Sequence, residues 1–391
     1  MLRGHVDEIS TNRVAGWAFD DADLRVPLTV DIEVDGRVVA SPVADGMRAD
    51  LEKMFGDGRH GFSLEFQRPL AVVQDHIIRV YFGGTQQLIE NGERALTAIS
   101  IKPEPVMRPI LVSTSGRTGS TVLLSRLSSH PAITIGNFYP FEIEHLKYFG
   151  HAFSVLTSLG DHDKSGSPDN FIDNARFVGA SPYFTPPFAE AFKDRSQHRM
   201  FYGEFVPKEL AHAFRNIIAE FYRRTADDAD KAGAVYFAER AHLAGATRWF
   251  ARNLFGPVRE IVLVRDLRDT LCSFRSFWPN QTVMESMRLL AISYRTIMEV
   301  HHEARADVML VRYEDLILEE AATLRRIVGF LGLPDLPPED AEASRALFAK
   351  HGTAGSPAAS IGRWKRDLPI EAIREATDTF GPFLEAFGYE T

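Results

Sequence analysis

The sequence contains one cysteine, Cys272, which rules out an internal disulfide framework and a cysteine-rich zinc site. None of its 13 histidines falls into H-E-x-x-H or a similar spacing. His301 and His302, neighbours on an expected helix, point in different directions, so a metal-free mechanism is expected. No stretch approaches the roughly 18 to 20 apolar residues that a membrane-crossing helix needs. The opening MLRGHVDEIS has no apolar core behind its arginine, unlike a secretory signal. A cytoplasmic protein is expected, with peripheral membrane contact left open. Basic residues are outnumbered, 44 Lys and Arg against 53 Asp and Glu, giving a net charge of -9. That balance argues against nucleic acid as a partner, because counterion release needs a basic surface. Any anion site in such a chain is a local gathering of arginine.

What is present is a change of pattern along 391 residues, a length that points to two or three domains. Residues 1–98 read as an all-β sandwich domain. "VPLTVDIEVDGRVVASPV" alternates about the hairpin signal Asp35-Gly36, and Val14–Phe19, Gly61–Phe66 and His76–Phe82 are further short strands. The stretch 99–108 reads as a linker, since "IKPEPVMRP" carries three prolines in nine residues. From 109 to 391, apolar strands alternate with helices, as in Ile110-Leu111-Val112 before "TVLLSRLSSH", in "REIVLVRDLRDTLCSFRSF" and in "ADVMLVRYEDLILEEAATLRRIVGFLGLP". The expected fold is α/β, a P-loop-like parallel sheet flanked by helices. Leu210, Ala213, Phe214, Ile217, Ile218, Phe221 and Tyr222 form a helical stripe, read as core. The aromatics of "NARFVGASPYFTPPFAEAF" are candidates for an acceptor pocket.

The candidate site begins at "PILVSTSGRTGSTVLLSRLSSHP", Pro109 to Pro131. A strand that ends in a small-residue turn and feeds a helix aims the helix's free N–H groups and positive dipole end at the turn. Gly116 and Gly119 allow close backbone approach, and Ser115, Thr118, Ser120 and Thr121 add hydroxyl donors. Arg117 adds a planar fork suited to a tetrahedral oxyanion. A nucleoside-triphosphate loop would place a lysine after the second glycine, and here there is none. A phosphate joined to a second anionic group fits better.

This loop resembles the 5′-phosphosulfate loop of sulfotransferases that use 3′-phosphoadenosine 5′-phosphosulfate (PAPS), in particular bacterial and carbohydrate-acting members with arginine in place of lysine. The resemblance implies contacts from Arg117, Gly119, Ser120 and Thr121 to the 5′-phosphate and sulfuryl group. It extends to "VLVRDLRDTLCSF", where Arg265 at a strand end and Ser273 eight residues on match the family's 3′-phosphate signature. It continues through "YEDL", "FLGL" and "SIGRWKRDL", and "GRWK" is similar to the late loop that closes over the nucleotide. There Arg363 or Lys365 would reach the 3′-phosphate, and Trp364 would cover a face of the site. Tyr313-Glu314-Asp315 is read as strand-end packing and a cap, and Arg268 as half of an exposed ion pair with Asp266 or Asp269. "YPFE" resembles the segment that supplies a glutamate base in bacterial relatives, which makes Glu142 the expected base and His145 the substitute. Aromatic neighbours would desolvate that carboxylate and strengthen it as a base, while nearby arginine would oppose this.

The implied function is transfer of the sulfuryl group of PAPS to a hydroxyl of a carbohydrate or glycolipid, without metal and with 3′-phosphoadenosine 5′-phosphate (PAP) as product. The acceptor class rests on the words "GWAFD", "VDG" and "GDGRHGF". They resemble a small β-sandwich module found beside glycosyltransferase-type domains in bacterial surface-glycan proteins. Two other readings remain at this stage. A P-loop kinase would need magnesium and the missing lysine, and a non-catalytic glycan-binding scaffold would bind cofactor without turnover.

Overall fold

The computed structural model describes residues 1–11, 13–66, 70, 74–98, 107–157, 206–243, 247–335, 349–350 and 352–391. Most of the 99–108 linker, and all of the aromatic stretch from Asn174 to Phe192, lie outside the described residues. The chain divides into two compact units, one made chiefly of Met1–Glu104 and the other chiefly of Pro105–Tyr148, Ile217–Ala251 and Pro257–Thr391.

The first unit holds β1 (Leu2–Ile9), β2 (Arg13–Asp20), β3 (Val30–Val34), β4 (Arg37–Ala40), β5 (Gly46–Met47), α1 (Ala49–Phe55), β6 (Arg59–Glu65), β7 (His76–Phe82) and β8 (Leu88–Leu96). They form one mixed sheet in the order β4-β3-β7-β8-β1-β2-β6-β5, with a parallel contact between β1 and β8 and antiparallel pairs elsewhere. The sheet curls, so that Val6 and Val14 from one half meet Ile32, Ile78 and Val80 from the other in a single core. Asp35 and Gly36 turn the β3–β4 hairpin with φ of 53° and 82°, as the two-residue turn requires. Asn91-Gly92 looks like a second turn signal. It lies instead inside β8, where Asn91 has φ 58° and the ladder to β7 breaks register between Arg79 and Tyr81.

The second unit is built on a five-stranded parallel sheet ordered β10-β11-β9-β12-β13. Its strands are β9 (Arg108–Thr114), β10 (Ile133–Ile135), β11 (Tyr236–His242), β12 (Arg259–Val264) and β13 (Val308–Arg312). The helices used below are α2 (Ser120–Ser128), α3 (His145–Thr157), α4 (Val206–Asp228), α5 (Thr247–Phe255), α6 (Leu267–Phe277), α7 (Val283–Glu303), α8 (Tyr313–Leu318), α9 (Glu320–Leu331), α10 (Trp364–Asp367) and α11 (Ile370–Ala386). Along β12, Ile261 and Leu263 pack with Leu123, Leu127 and Ile327 on one face of the sheet. Val262 and Val264 pack with Leu271, Leu290 and Phe380 on the other. A strand buried on both faces needs the continuous apolar run that the sequence shows there. β9 lies at the centre, with β11 on one side and β12 on the other, so the strand order reverses at it. Ligands of open α/β sheets bind at the carboxyl end of such a switch point.

Two helical expectations change. The helix after β13 breaks at Glu319 into α8 and α9, which leaves Leu318 65% exposed while Leu324, Ile327, Val328 and Leu331 are buried. On α4 the buried face runs through Ala211, Ile218, Tyr222 and Ala226, whereas Ala213, Ile217 and Phe221 from the expected core stripe are exposed. Among the described residues no helix is long and apolar enough to cross a membrane.

Candidate active site

β9 ends at Thr114, and the chain turns through Ser115–Gly119 into α2. Gly116, Arg117 and Gly119 have φ of 85°, 56° and 94°, left-handed backbone that lets N–H groups line a concave turn suited to anions. A Cβ at Gly119 would sit 2.5 Å from the Tyr313 ring, so glycine is required there for space as well as for φ. Thr118 is buried, and its hydroxyl bonds that of Thr114, whose Oγ1 also accepts the Gly116 N–H at 3.0 Å. Thr118 is thus a brace inside the turn. Ser115 Oγ is buried with no hydrogen-bond partner. Arg117, Ser120 and Thr121 face a cavity of about 370 Å³, together with Gly116 and Gly119.

Arg265 and Ser273 line the same cavity from β12 and α6. Arg265 is buried and donates to the carbonyls of Arg117 (3.0 Å) and Ser360 (2.6 Å). Its Nε is buried without a partner, and its guanidinium lies 4.4 Å from the centre of the Tyr313 ring. Ser273 Oγ accepts from Arg117 Nε at 3.2 Å and lies 3.1 Å from Thr353 Oγ1. Two segments about 150 residues apart in sequence therefore meet directly. Arg117 is held below the ordinary arginine pKa, first by burial and then by the like charge of Arg265, with Tyr139 and Glu142 pulling the other way. An anion in the cavity would relieve that repulsion.

The sequence between residues 109 and 338, more than half of the chain, matches the family model described as "Sulfotransferase family". The chain belongs to the sulfotransferase family. Solved structures similar to it include a sulfotransferase domain from the curacin biosynthetic pathway, at 16% identity over 73% of this chain and 98% of that one, with a TM-score of 0.42. The sulfotransferase domain of the olefin synthase of Synechococcus PCC 7002 aligns at 18% identity over 75% and 100% of the two chains, with a TM-score of 0.43. A mouse sulfotransferase complexed with PAP aligns at 11% identity over 73% and 91%, with a TM-score of 0.36. No curated protein shows significant similarity to the sequence.

In this sulfotransferase the loop before α3 brings Glu142 to the cavity wall beside Tyr139 and Pro140. Glu142 Oε2 is 2.6 Å from Arg240 of β11, and Glu144 Oε1 is 3.9 Å from the same guanidinium. Arg240 also lines the cavity, and its Nε is buried without a partner. Nothing in the local sequence singles out Arg240, because β11 reads "YFAERAH" and its charges hide the strand. His242 lies two residues on and so on the same side of β11, paired in register with Thr114 at the mouth of the phosphate loop. Burial, then the Arg240 charge, hold its pKa below the usual histidine value, so its imidazole is neutral near pH 7. His145 sits elsewhere. Its ring is 3.7 Å from that of Phe221, and burial pulls its pKa down to about 4.

The late loop is ordered by groups that the sequence placed in the site. Arg363 is buried and spends its guanidinium on Asp367 (2.7 Å), the Thr353 carbonyl and Oγ1 (3.0 Å each) and Ser276 (3.2 Å), so it props the segment that carries Thr353. Lys365 pairs with Glu390 and does not line the cavity. Trp364 is buried against Arg268, its ring centre 3.8 Å from that guanidinium. The Asp269 carboxylate accepts the N–H groups of Gly362 (2.6 Å) and Trp364 (2.9 Å), which ties this loop to α6. Tyr313, read from sequence as packing, forms part of the wall, and its hydroxyl is 3.0 Å from Ser360 Oγ. The signal for it was its position, one residue past β13 on the carboxyl edge that also presents Arg265.

Cys272 precedes Ser273 but points into the core, and burial pushes its thiol up to about 12. The thiolate is the reactive form. Folded protein at pH 8 is therefore expected to show no reaction with Ellman's reagent, and one equivalent after addition of guanidinium. Rapid labelling of the folded protein would contradict this burial.

Proposed function

We propose that the cavity binds PAPS and that this protein passes its sulfuryl group to a hydroxyl of a carbohydrate or glycolipid. The observation that carries the reading is the convergence of three guanidiniums, Arg117, Arg240 and Arg265, on one cavity of an acidic protein, two of them with buried Nε donors that have no partner. A ligand with anionic groups at two ends fits that donor set. Gly116, Arg117, Gly119, Ser120 and Thr121 would hold the phosphosulfate, and Arg265 and Ser273 the 3′-phosphate. The bound donor supplies an activated sulfuryl group and a stable phosphate leaving group. The chain's own part is to position the acceptor hydroxyl, take its proton and offset negative charge on the leaving side. Arg117 and the loop N–H groups do the last, in a setting where one fixed donor is worth roughly 3 to 4 kcal/mol.

Glu142 is our choice of base because it lines the same cavity as the loop and Arg240 fixes its carboxylate there. Glu142→Gln is expected to leave PAP affinity within about twofold and to cut transfer by on the order of 100- to 1,000-fold. The measurement is calorimetry with PAP, followed by label transfer from PAPS to a panel of polysaccharides, glycolipids and phenols. His242 is the second reading of the base, favoured by its place on the same side of β11 as Arg240 and by a pKa held below the usual histidine value. Loss of transfer in His242→Asn with full rate in Glu142→Gln would select it. The same proposal treats 1–98 as a separate domain, 99–108 as linker and 109–391 as the transferase domain, in keeping with sheets that end at Leu96 and begin at Arg108. The carbohydrate or glycolipid assignment rests on the N-terminal β unit, and transfer confined to phenols would remove it.

A further inference from the structure

Glu239 is a carboxylate that none of the chemistry above uses. It is fully buried on β11, directly before Arg240. Its Oε1 accepts the Tyr222 hydroxyl at 2.8 Å, and its Oε2 accepts the Leu146 N–H at 3.0 Å. Leu146 lies in the first turn of α3, where a backbone N–H has no partner within the helix, so the carboxylate caps α3 from another element. Arg240 meanwhile holds Glu142 and Glu144 just before that turn. In register, Glu239 and Arg240 pair with Leu111 and Val112 of β9, the strand that delivers the phosphate loop.

We propose that Glu239 is a positioning residue: with Arg240, it clamps both ends of the segment Glu142–Leu146 to β11 and so sets the reach of Glu142 toward the loop. Alternation along the strand turns Glu239 and Arg240 to opposite faces, which separates the two grips. Among the described residues, the groups facing Glu239 are the Tyr222 hydroxyl on α4, the first-turn N–H groups of α3 and, at longer range, the Glu144 carboxylate. Burial pushes the Glu239 pKa up to about 8, so at neutral pH much of it is protonated; one oxygen can still accept the Leu146 N–H in that form. The inference rests on Glu142 as base for its functional meaning, but the clamp itself is tested without turnover.

The test is hydrogen–deuterium exchange of the full chain at pH 7, read on peptides within 140–148 and on β9 and β12, with PAP calorimetry alongside. Glu239→Leu removes both bonds and is expected to raise exchange within 140–148 by tenfold or more. β9 and β12 should stay protected, and PAP affinity should stay within about twofold. Glu239→Gln, whose amide can accept from Leu146 and donate to Tyr222, should restore protection to within threefold of the parent. Tyr222→Phe removes one bond, should give an intermediate rise, and serves if the leucine variant fails to fold. Unchanged exchange in Tyr222→Phe and Glu239→Leu would overturn the proposal, as would a glutamine variant no better protected than leucine. Equal loss of protection on β9 and β12 would also overturn it. A base assignment lost to His242 would leave these exchange results standing, so the two failures are separable.

Discussion

Arg265→Ala is expected to weaken binding of PAP by roughly 30- to 150-fold, the equivalent of about 2 to 3 kcal/mol. The magnitude is that of a charge-assisted pair of hydrogen bonds made by a planar fork. Arg265 suits the role because it is buried at the carboxyl end of β12, wedged over Tyr313, with an Nε that has no partner in the protein. Part of the loss will be indirect. Its terminal nitrogens hold the Arg117 and Ser360 carbonyls, so its removal also loosens the phosphate loop and the late loop. Arg265→Lys separates the two contributions, since it keeps the charge and loses the fork. An intermediate loss is expected from lysine and a smaller one from Ser273→Ala, which removes a single hydroxyl. Calorimetry with PAP and, in parallel, with magnesium ATP reads all three variants. If alanine at 265 binds PAP as the parent does, the two-ended anion site is wrong. If the parent prefers magnesium ATP, the donor is wrong.

How far the sequence discloses this site depends on how local each signal is. The loop at 115–121 is legible because strand, small-residue turn and helix are contiguous, and because the glycines stand where φ is positive. The link from Arg265 to Ser273 is legible for the same reason, being eight residues along one strand–helix unit. β11 was illegible. A strand buried between two others should read as an apolar run, and Glu239, Arg240 and His242 break it. The charges of Glu239 and Arg240 are tolerated because each has partners from distant segments, Tyr222 and Leu146 for the one and Glu142 for the other, which no local pattern announces. β8 was hidden differently, by an Asn-Gly pair that lies within the strand, where its ladder to β7 breaks register, rather than in a turn between strands. The α4 stripe shows a further limit. Periodicity found a helical face, but which of its residues are covered depends on packing partners outside the helix.

Arg268 reads from sequence as half of an exposed pair with Asp266 or Asp269, and its partner is Asp266. The structure buries both, with relative side-chain exposures of 1% and 7%. Arg268 grips Asp266 with two nitrogens, at 3.0 Å and 2.8 Å, and also donates to Thr377 and to the Glu390 carbonyl near the end of the chain. Its flat face lies against Trp364. An exposed pair would be worth about 0 to 1 kcal/mol. Truncating one partner of a buried pair is a different matter, because the other charge stays in the core without its counter-charge. Arg268→Ala is therefore expected to destabilise the folded chain by roughly 3 to 5 kcal/mol, with urea unfolding as the measurement. Asp266 keeps a second duty in that variant: its carboxylate accepts the backbone N–H of residue 268 at the start of α6, the helix that carries Ser273, a bond that offsets only part of the buried charge. Replacing both partners, in Asp266→Asn with Arg268→Met, should cost less than the single alanine change, because no unpaired charge is left behind. A loss below about 1 kcal/mol in Arg268→Ala would return the pair to the exposed class and contradict the burial seen here. A double variant no more stable than the single one would show that the stacking on Trp364, not the charge pairing, holds the α6 start and the chain's end together.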